Sequence, residues 1–299
     1  MTSLLGLVAR FSRPTLRTLR PIVFSLTSQK RNKEAELFST PRASKFLKKD
    51  MEALRVSYMP ASDENDVIPN LSVTNSTDQY AVPHISRKTL KDPDFKVDGF
   101  ICITDPTVRT FFDKLHDAVF NGLQVVGTDE TFTDTLVDDL LRIAELNENH
   151  PPCKLYINNE PVVSAVPEFV VRKQNYAIIG VEDKHLKNVG PNTGFGETQI
   201  AADIIACGYE NMRLIDYEYK EQTIFAIRVI STYVTFYKTE IPAIYWKELE
   251  EGLPKVQSIE IRRWPAKNSL RSGFDLAEPS GRETVLKSLL KIRQFLVPK

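Results

Sequence analysis

Apolar and polar positions along this chain follow two rhythms, and they separate most clearly between residues 100 and 240. Val108, Phe111, Phe112, Leu115, Val119 and Phe120 recur at helical spacing, which predicts an amphipathic helix starting near Pro106. A second helix is expected from about Thr131 to Leu146, with Phe132, Leu136, Val137, Leu140, Leu141 and Ala144 as its apolar stripe. His150-Pro151-Pro152 ends it. Three strand-like segments follow: Lys154 to Asn158, Val162 to Arg172 interrupted by Pro167, and Tyr176 to Lys184. The last opens as a continuous apolar run, as a buried strand does. A loop containing Gly, Pro and Asn (Asn188 to Gly196) leads into a helix over Glu197 to Cys207. Two further strands, Thr223 to Ile230 and Tyr233 to Thr239, and a closing helix near Arg282 to Phe295 complete the series. The order α-β-β-β-α-β predicts an α/β fold, a central mixed sheet flanked by helices.

Ahead of residue 100 the rhythm fades. Pro41, Pro60, Pro69, Pro83 and Pro93 punctuate residues 39–99, and Asp63-Glu64-Asn65-Asp66 and Asn75-Ser76-Thr77-Asp78 are polar clusters. That stretch reads as a Pro-rich polar linker or extension that wraps the domain without a core of its own. Residues 1–38 read as an address. Leu4, Leu5, Leu7, Val8 and Phe11 fall on one side of a helix among arginines and serines, with no acidic residue before Glu34. Such a segment fits a mitochondrial transit peptide, so the expected location is the mitochondrial matrix. The globular domain is then expected over residues 100–299.

Charge narrows the partners. The chain balances 39 basic against 39 acidic residues, but Arg10, Arg13, Arg17, Arg20, Lys30, Arg31 and Lys33 all precede Glu34. Without those seven, 32 basic residues face 39 acidic ones, a net charge of −7. A chain of that charge has no global attraction for nucleic acid and needs a local basic patch to bind it; Arg172, Lys173 and Lys187 are candidates. No run of 18 apolar residues occurs, so no membrane span is expected. Cys102, Cys153 and Cys207 are widely spaced, and His84, His116, His150 and His185 form no HxH or HxxxH pair. That spacing excludes a CxxC metal knuckle, and a zinc site built on Cys and His is not expected.

Candidate chemistry concentrates on two acidic segments, Pro167-Glu168-Phe169 and Glu182-Asp183-Lys184. Strand side chains alternate, so Glu182 and Lys184 share one face while Val181 and Asp183 take the other. With Lys173, Gln174 and Asn175 as a three-residue hairpin loop, Arg172 faces Tyr176 and Glu168 faces Gly180. Glu182 then lies diagonally across from Glu168. Two carboxylates beside an ammonium are what phosphodiester hydrolysis requires, because carboxylates can hold a divalent cation and lysine can orient the attacking water.

Helix, strand pair, Pro-acid and an apolar strand ending in Glu-x-Lys, spread over Glu130 to Tyr209, resemble the PD-(D/E)XK, restriction-endonuclease-like superfamily with its αβββαβ core. The resemblance implies a nuclease acting on DNA or RNA. Glu168 and Glu182 would ligate Mg²⁺ or Mn²⁺, with the backbone carbonyl of Asp183 as a further ligand, and Lys184 would serve the water. It also implies roles for Glu130, at the start of the preceding helix, and for Gln199, on the following one. The chain departs from the pattern in carrying Glu168 where the family usually has Asp. An inactive domain of the same fold, acting as a nucleic-acid-binding or assembly component with protein partners in the organelle, is the alternative expectation. A third is an α/β interaction protein unrelated to nucleases. Tyr217, Tyr219, Phe225, Tyr233, Phe236, Tyr237, Tyr245 and Trp246 are expected to be core rather than a base-stacking platform.

Overall fold

The computed structural model describes residues 42–73, 77–123, 129–146, 148–149, 152–173, 176–184, 189–214 and 218–296; side chains of residues 148–149, 172–173 and 176–184 are not described. The expected transit peptide, His185 and Lys187 therefore lie outside the described residues. In chain order the helices are α1 (Lys48–Ala53), α2 (Arg87–Leu90), α3 (Pro106–Asn121), α4 (Thr131–Ile143), α5 (Glu197–Leu214), α6 (Ala243–Glu251) and α7 (Pro279–Leu296). The strands are β1 (Val56–Pro60), β2 (Glu148–Asn149), β3 (Cys153–Ile157), β4 (Glu160–Ala165), β5 (Phe169–Lys173), β6 (Tyr176–Lys184), β7 (Gln222–Ile230), β8 (Tyr233–Ile241), β9 (Ile259–Trp264) and β10 (Phe274–Asp275).

The architecture is mixed α/β, a mixed sheet flanked by helices. The main sheet runs β1-β9-β8-β7-β6-β5-β2, with β10 paired to β8. β6–β7 and β1–β9 are parallel and the other pairs antiparallel. Because β6 and β7 are parallel, the chain must cross over between them, and α5 makes that crossing. Alternation along the strands separates two cores. Phe169, Val171, Phe225, Ile227, Val229, Val234 and Phe236 face α3, α4 and α7. Val170, Ile224, Ala226, Tyr237, Ile259 and Ile261 face α5, α6, α1 and the β3–β4 hairpin.

Two expectations about strands change. Val162 to Arg172 is not one strand, because Pro167, which has no N–H to donate, falls between β4 and β5. β3 and β4 leave the main sheet as a separate antiparallel pair. Asn158 and Asn159 turn that pair with φ of 52° and 64°, the left-handed conformations a two-residue turn of this kind needs and asparagine tolerates.

Described residues between 42 and 99 lie against the rest of the fold, and their apolar side chains enter both cores. β1 extends the sheet beyond β9. Leu54, Val67, Ile68, Ile85 and Leu90 have no exposed surface at all. The wrap is fastened by Arg282 of α7, fully buried, which donates to the carbonyls of Tyr80, Val82, Ile85 and Leu276 at 2.7–3.0 Å. Arg87 of α2 adds an ion pair with Asp275 at 2.6 Å and a hydrogen bond to Thr232.

Candidate functional site

The β5–β6 hairpin decides how the two acidic segments meet. Lys173 pairs with Tyr176, so the turn has two residues rather than three, and a register shift follows Arg172↔Ala177. From there Val171 pairs with Ile179, Val170 with Gly180 and Phe169 with Val181. The bulge gives β6 one extra residue, Ile178. The expected pairings Arg172–Tyr176 and Glu168–Gly180 are thus corrected, and Gly180 stands opposite Val170. Glu168 immediately precedes β5, and continuing the register places it level with Glu182 rather than diagonal to it. The turn and the bulge each shift the pairing by one residue, so the two positions still share a face.

That face is the one α5 covers, since Val170 packs into the α5 core. Glu182 is in register with Arg228 on β7, and Lys184 with Ile230. Asp183, by alternation, takes the opposite face. Glu168 is half-buried. Gln199 is half-buried on α5, whereas Glu130 precedes α4 in the helical layer on the other side of the sheet. Register and layer thus bring Glu168, Glu182 and Lys184 to one end of one face, with Gln199 on the covering helix and Glu130 across the sheet.

The same face carries a buried polar row that periodicity alone did not single out. Arg228 is 1% exposed; its Nη1 donates to the carbonyl of Phe195 (2.8 Å) and to Asn268 Oδ1 (2.9 Å), and its Nη2 to Thr235 Oγ1 (3.2 Å). Asn268 in turn donates to the carbonyl of Gly194 at 3.0 Å. The loop these groups hold passes through positive φ at Gly194 (57°), Phe195 (55°) and Gly196 (91°), and there α5 begins. Its first residue, Glu197, is buried and accepts from Arg263 Nη1 at 2.6 Å. The Tyr58 hydroxyl donates to the Glu197 carbonyl at 2.6 Å. Burial pushes the Glu197 carboxyl above the usual glutamic acid range, against the pull of Arg263 and Arg228. Burial likewise raises the Tyr58 and Tyr237 phenols, so both stay protonated at neutral pH.

A signal for this row was present in the sequence. Arg228 keeps the parity of Ile224 and Ala226 on a strand buried on both faces, and Arg263 keeps that of Ile259 and Ile261. A charge at an inward position of a buried strand must find partners. Beside the row, a cleft of about 430 Å³ is lined by Lys48, Ser57, Tyr58, Asn192, Glu197 and Thr198 among others. Of the aromatic residues expected in the core, Phe225, Phe236, Tyr237, Tyr245 and Trp246 are fully buried; Tyr219 and Tyr233 are only half-buried, the first against the core beneath α5 and the second under Arg87, and Tyr217 lies outside the described residues.

Among the described side chains, no three His, Cys, Asp or Glu residues cluster as a metal site would require; Glu182 and Asp183 fall outside that set. No helix among the described residues is long and apolar enough to cross a membrane. Comparison of the sequence with protein-family models and with curated proteins finds no match.

Proposed function

We propose that this protein is a metal-dependent nuclease of the PD-(D/E)XK kind, hydrolysing phosphodiester bonds of DNA or RNA in mitochondria. The observation that carries the reading is the hairpin register, which sets the positions of Glu168 and Glu182 level on adjacent strands with Lys184 two residues further on the same face. Opposed residues of an antiparallel pair hold their Cβ atoms about 5 Å apart, close enough for two carboxylates to share one ion. The donors are all oxygens, Glu168, Glu182 and the Asp183 carbonyl, which suits Mg²⁺ or Mn²⁺. A cation held there would supply an activated water and neutralise charge on the phosphate. Lys184 would orient that water. The strand order supports the reading too: α4, β2, β5, β6, the α5 crossover and β7 follow the α-β-β-β-α-β series along one sheet.

The test is cleavage of single- and double-stranded DNA and RNA with Mg²⁺, against a chelator, in the wild type, Glu182→Gln and Lys184→Ala. We expect chelation to abolish cleavage, and each substitution to slow it by ~10²-fold or more, as loss of a charge-stabilising group does. Equal cleavage by Lys184→Ala would remove that residue from the mechanism.

Arg228 favours a second reading, a domain of the same fold that binds nucleic acid or a protein partner without hydrolysis. Arg228 occupies the position in register with Glu182 on the same face, so the protein itself buries a cation on that face. Nucleic-acid binding with no Mg²⁺-dependent cleavage of any of the four substrates would establish it.

A further inference from the structure

Two of the three cysteines meet inside the molecule. Cys153 opens β3, Cys207 lies within α5, and their Sγ atoms are 3.3 Å apart although the residues are 54 positions apart in sequence. Both are buried, whereas Cys102 is exposed. A buried thiol usually packs as a small apolar group against carbon; here sulfur is set against sulfur. Closing to the S–S bond length of about 2.05 Å asks each side chain to move by well under 1 Å.

We propose that Cys153 and Cys207 are a modification site, a dithiol that a small hydroperoxide converts reversibly to a disulfide. One thiolate attacks the peroxide, its O–O bond breaks, and a sulfenic acid forms as one molecule of water or alcohol leaves. The second thiol then displaces the hydroxyl from that sulfur; the S–S bond forms and water departs with the thiol proton. Two sulfurs are oxidised and one peroxide is reduced. Access comes from the hairpin's position. β3 and β4 pack on α5 and α6 but share no hydrogen-bonded ladder with the main sheet, so access requires the pair to open locally while that sheet stays intact. Opening exposes the thiols to a small oxidant, and the bond then ties the hairpin to α5.

The bond closes a long loop, so it should stabilise as well as restrain. The full chain carrying Cys102→Ser is treated with hydrogen peroxide, unfolded, alkylated and mapped by mass spectrometry. The expected product has lost two hydrogens, carries no alkyl group and yields a peptide linking Cys153 to Cys207 that dithiothreitol separates. Its melting temperature should rise by roughly 5–10 °C, and amide exchange in β3 and β4 should slow. The wild-type chain, mapped in the same way, should give the same link. Alkylation of both thiols after unfolding, or oxygen adducts on unlinked sulfurs, would overturn the proposal. A link that leaves melting and exchange unchanged would overturn its restraining role.

Discussion

Arg282 places a full charge inside α7 with main-chain carbonyls as its acceptors, and the arrangement needs the width of a guanidinium. Its Nε, Nη1 and Nη2 reach Tyr80, Leu276, Val82 and Ile85, while its plane lies over Phe112 at 5.1 Å. Burial lowers its pKa to about 10, so it remains charged at neutral pH. Lysine, a single ammonium on a longer stem, cannot serve four carbonyls spread over that span. Arg282→Lys should therefore destabilise the protein by about 3 kcal/mol or more, since hydrogen bonds to a charged group contribute ~1.5–3 kcal/mol each; urea unfolding would read it. Glu197 makes a prediction about pH. Its folded pKa is raised above the ordinary glutamic acid value of 4.5, chiefly by burial, so the native state binds this proton more tightly than the unfolded chain does. Its contribution to stability is then complete below that value and is lost as pH rises through the folded pKa. Glu197→Gln removes the titration. The stability difference between variant and wild type should shift in the variant's favour from about pH 4.5 toward neutrality. Parallel stability–pH curves for the two proteins would sink this account.

On α5, helix propensity and packing pull in opposite directions at Gly208. Alanine there would gain up to about 1 kcal/mol of intrinsic helix preference. A Cβ, however, would sit 2.6 Å and 2.8 Å from two ring atoms of Trp246 and 3.0 Å from Ile224. The indole is fully buried, so it cannot swing aside. Overpacking of this kind costs about 1–3 kcal/mol, and Gly208→Ala should lower the denaturation midpoint rather than raise it. A midpoint that rises would mean α6 can retreat from α5. Elements of this sort were the most legible part of the sequence. α3, α4 and α7 announce themselves because one face of each is apolar at helical spacing, and Pro106 marks the start of α3; α5 is apolar nearly all round and shows as an apolar run after a loop. Legibility fell where the answer depends on a partner. The two-residue turn and the bulge at Ile178 leave no local mark, and Glu168 and Glu182 keep a shared face only because those two shifts offset each other; neither their alignment nor that face was fixed by alternation alone. Glu197, Arg228 and Arg263 come from three separate elements, and only the sheet register and the loop before α5 bring them together.

Across the whole molecule, the least legible stretch turns out to hold the two cores in place. In residues 42–99 the buried apolar residues stand alone between polar turns, with no period to reveal them, because each fits a gap left by the sheet and α7. Leu54 and Val56 enter the core beneath α5; Val67, Ile68, Tyr80, Ile85, Leu90 and Val97 enter the one beneath α3, α4 and α7. Fully burying a large apolar side chain contributes about 1.5–3 kcal/mol. Losing this set would therefore remove an amount that matches or exceeds the roughly 5–15 kcal/mol by which a domain is stable. It would also strip β1 from β9 and leave Arg282 buried without the carbonyls of Tyr80, Val82 and Ile85. A chain beginning at residue 100 should thus fail to unfold cooperatively and should aggregate, while one beginning at residue 39 behaves as the full chain does. Adding residues 39–99 as a separate peptide should restore part of the helical circular dichroism, because the interactions lost are contacts rather than connectivity. If the shorter chain is monomeric and unfolds at the denaturant midpoint of the full one, the wrap is ornament, and the fold is complete without it.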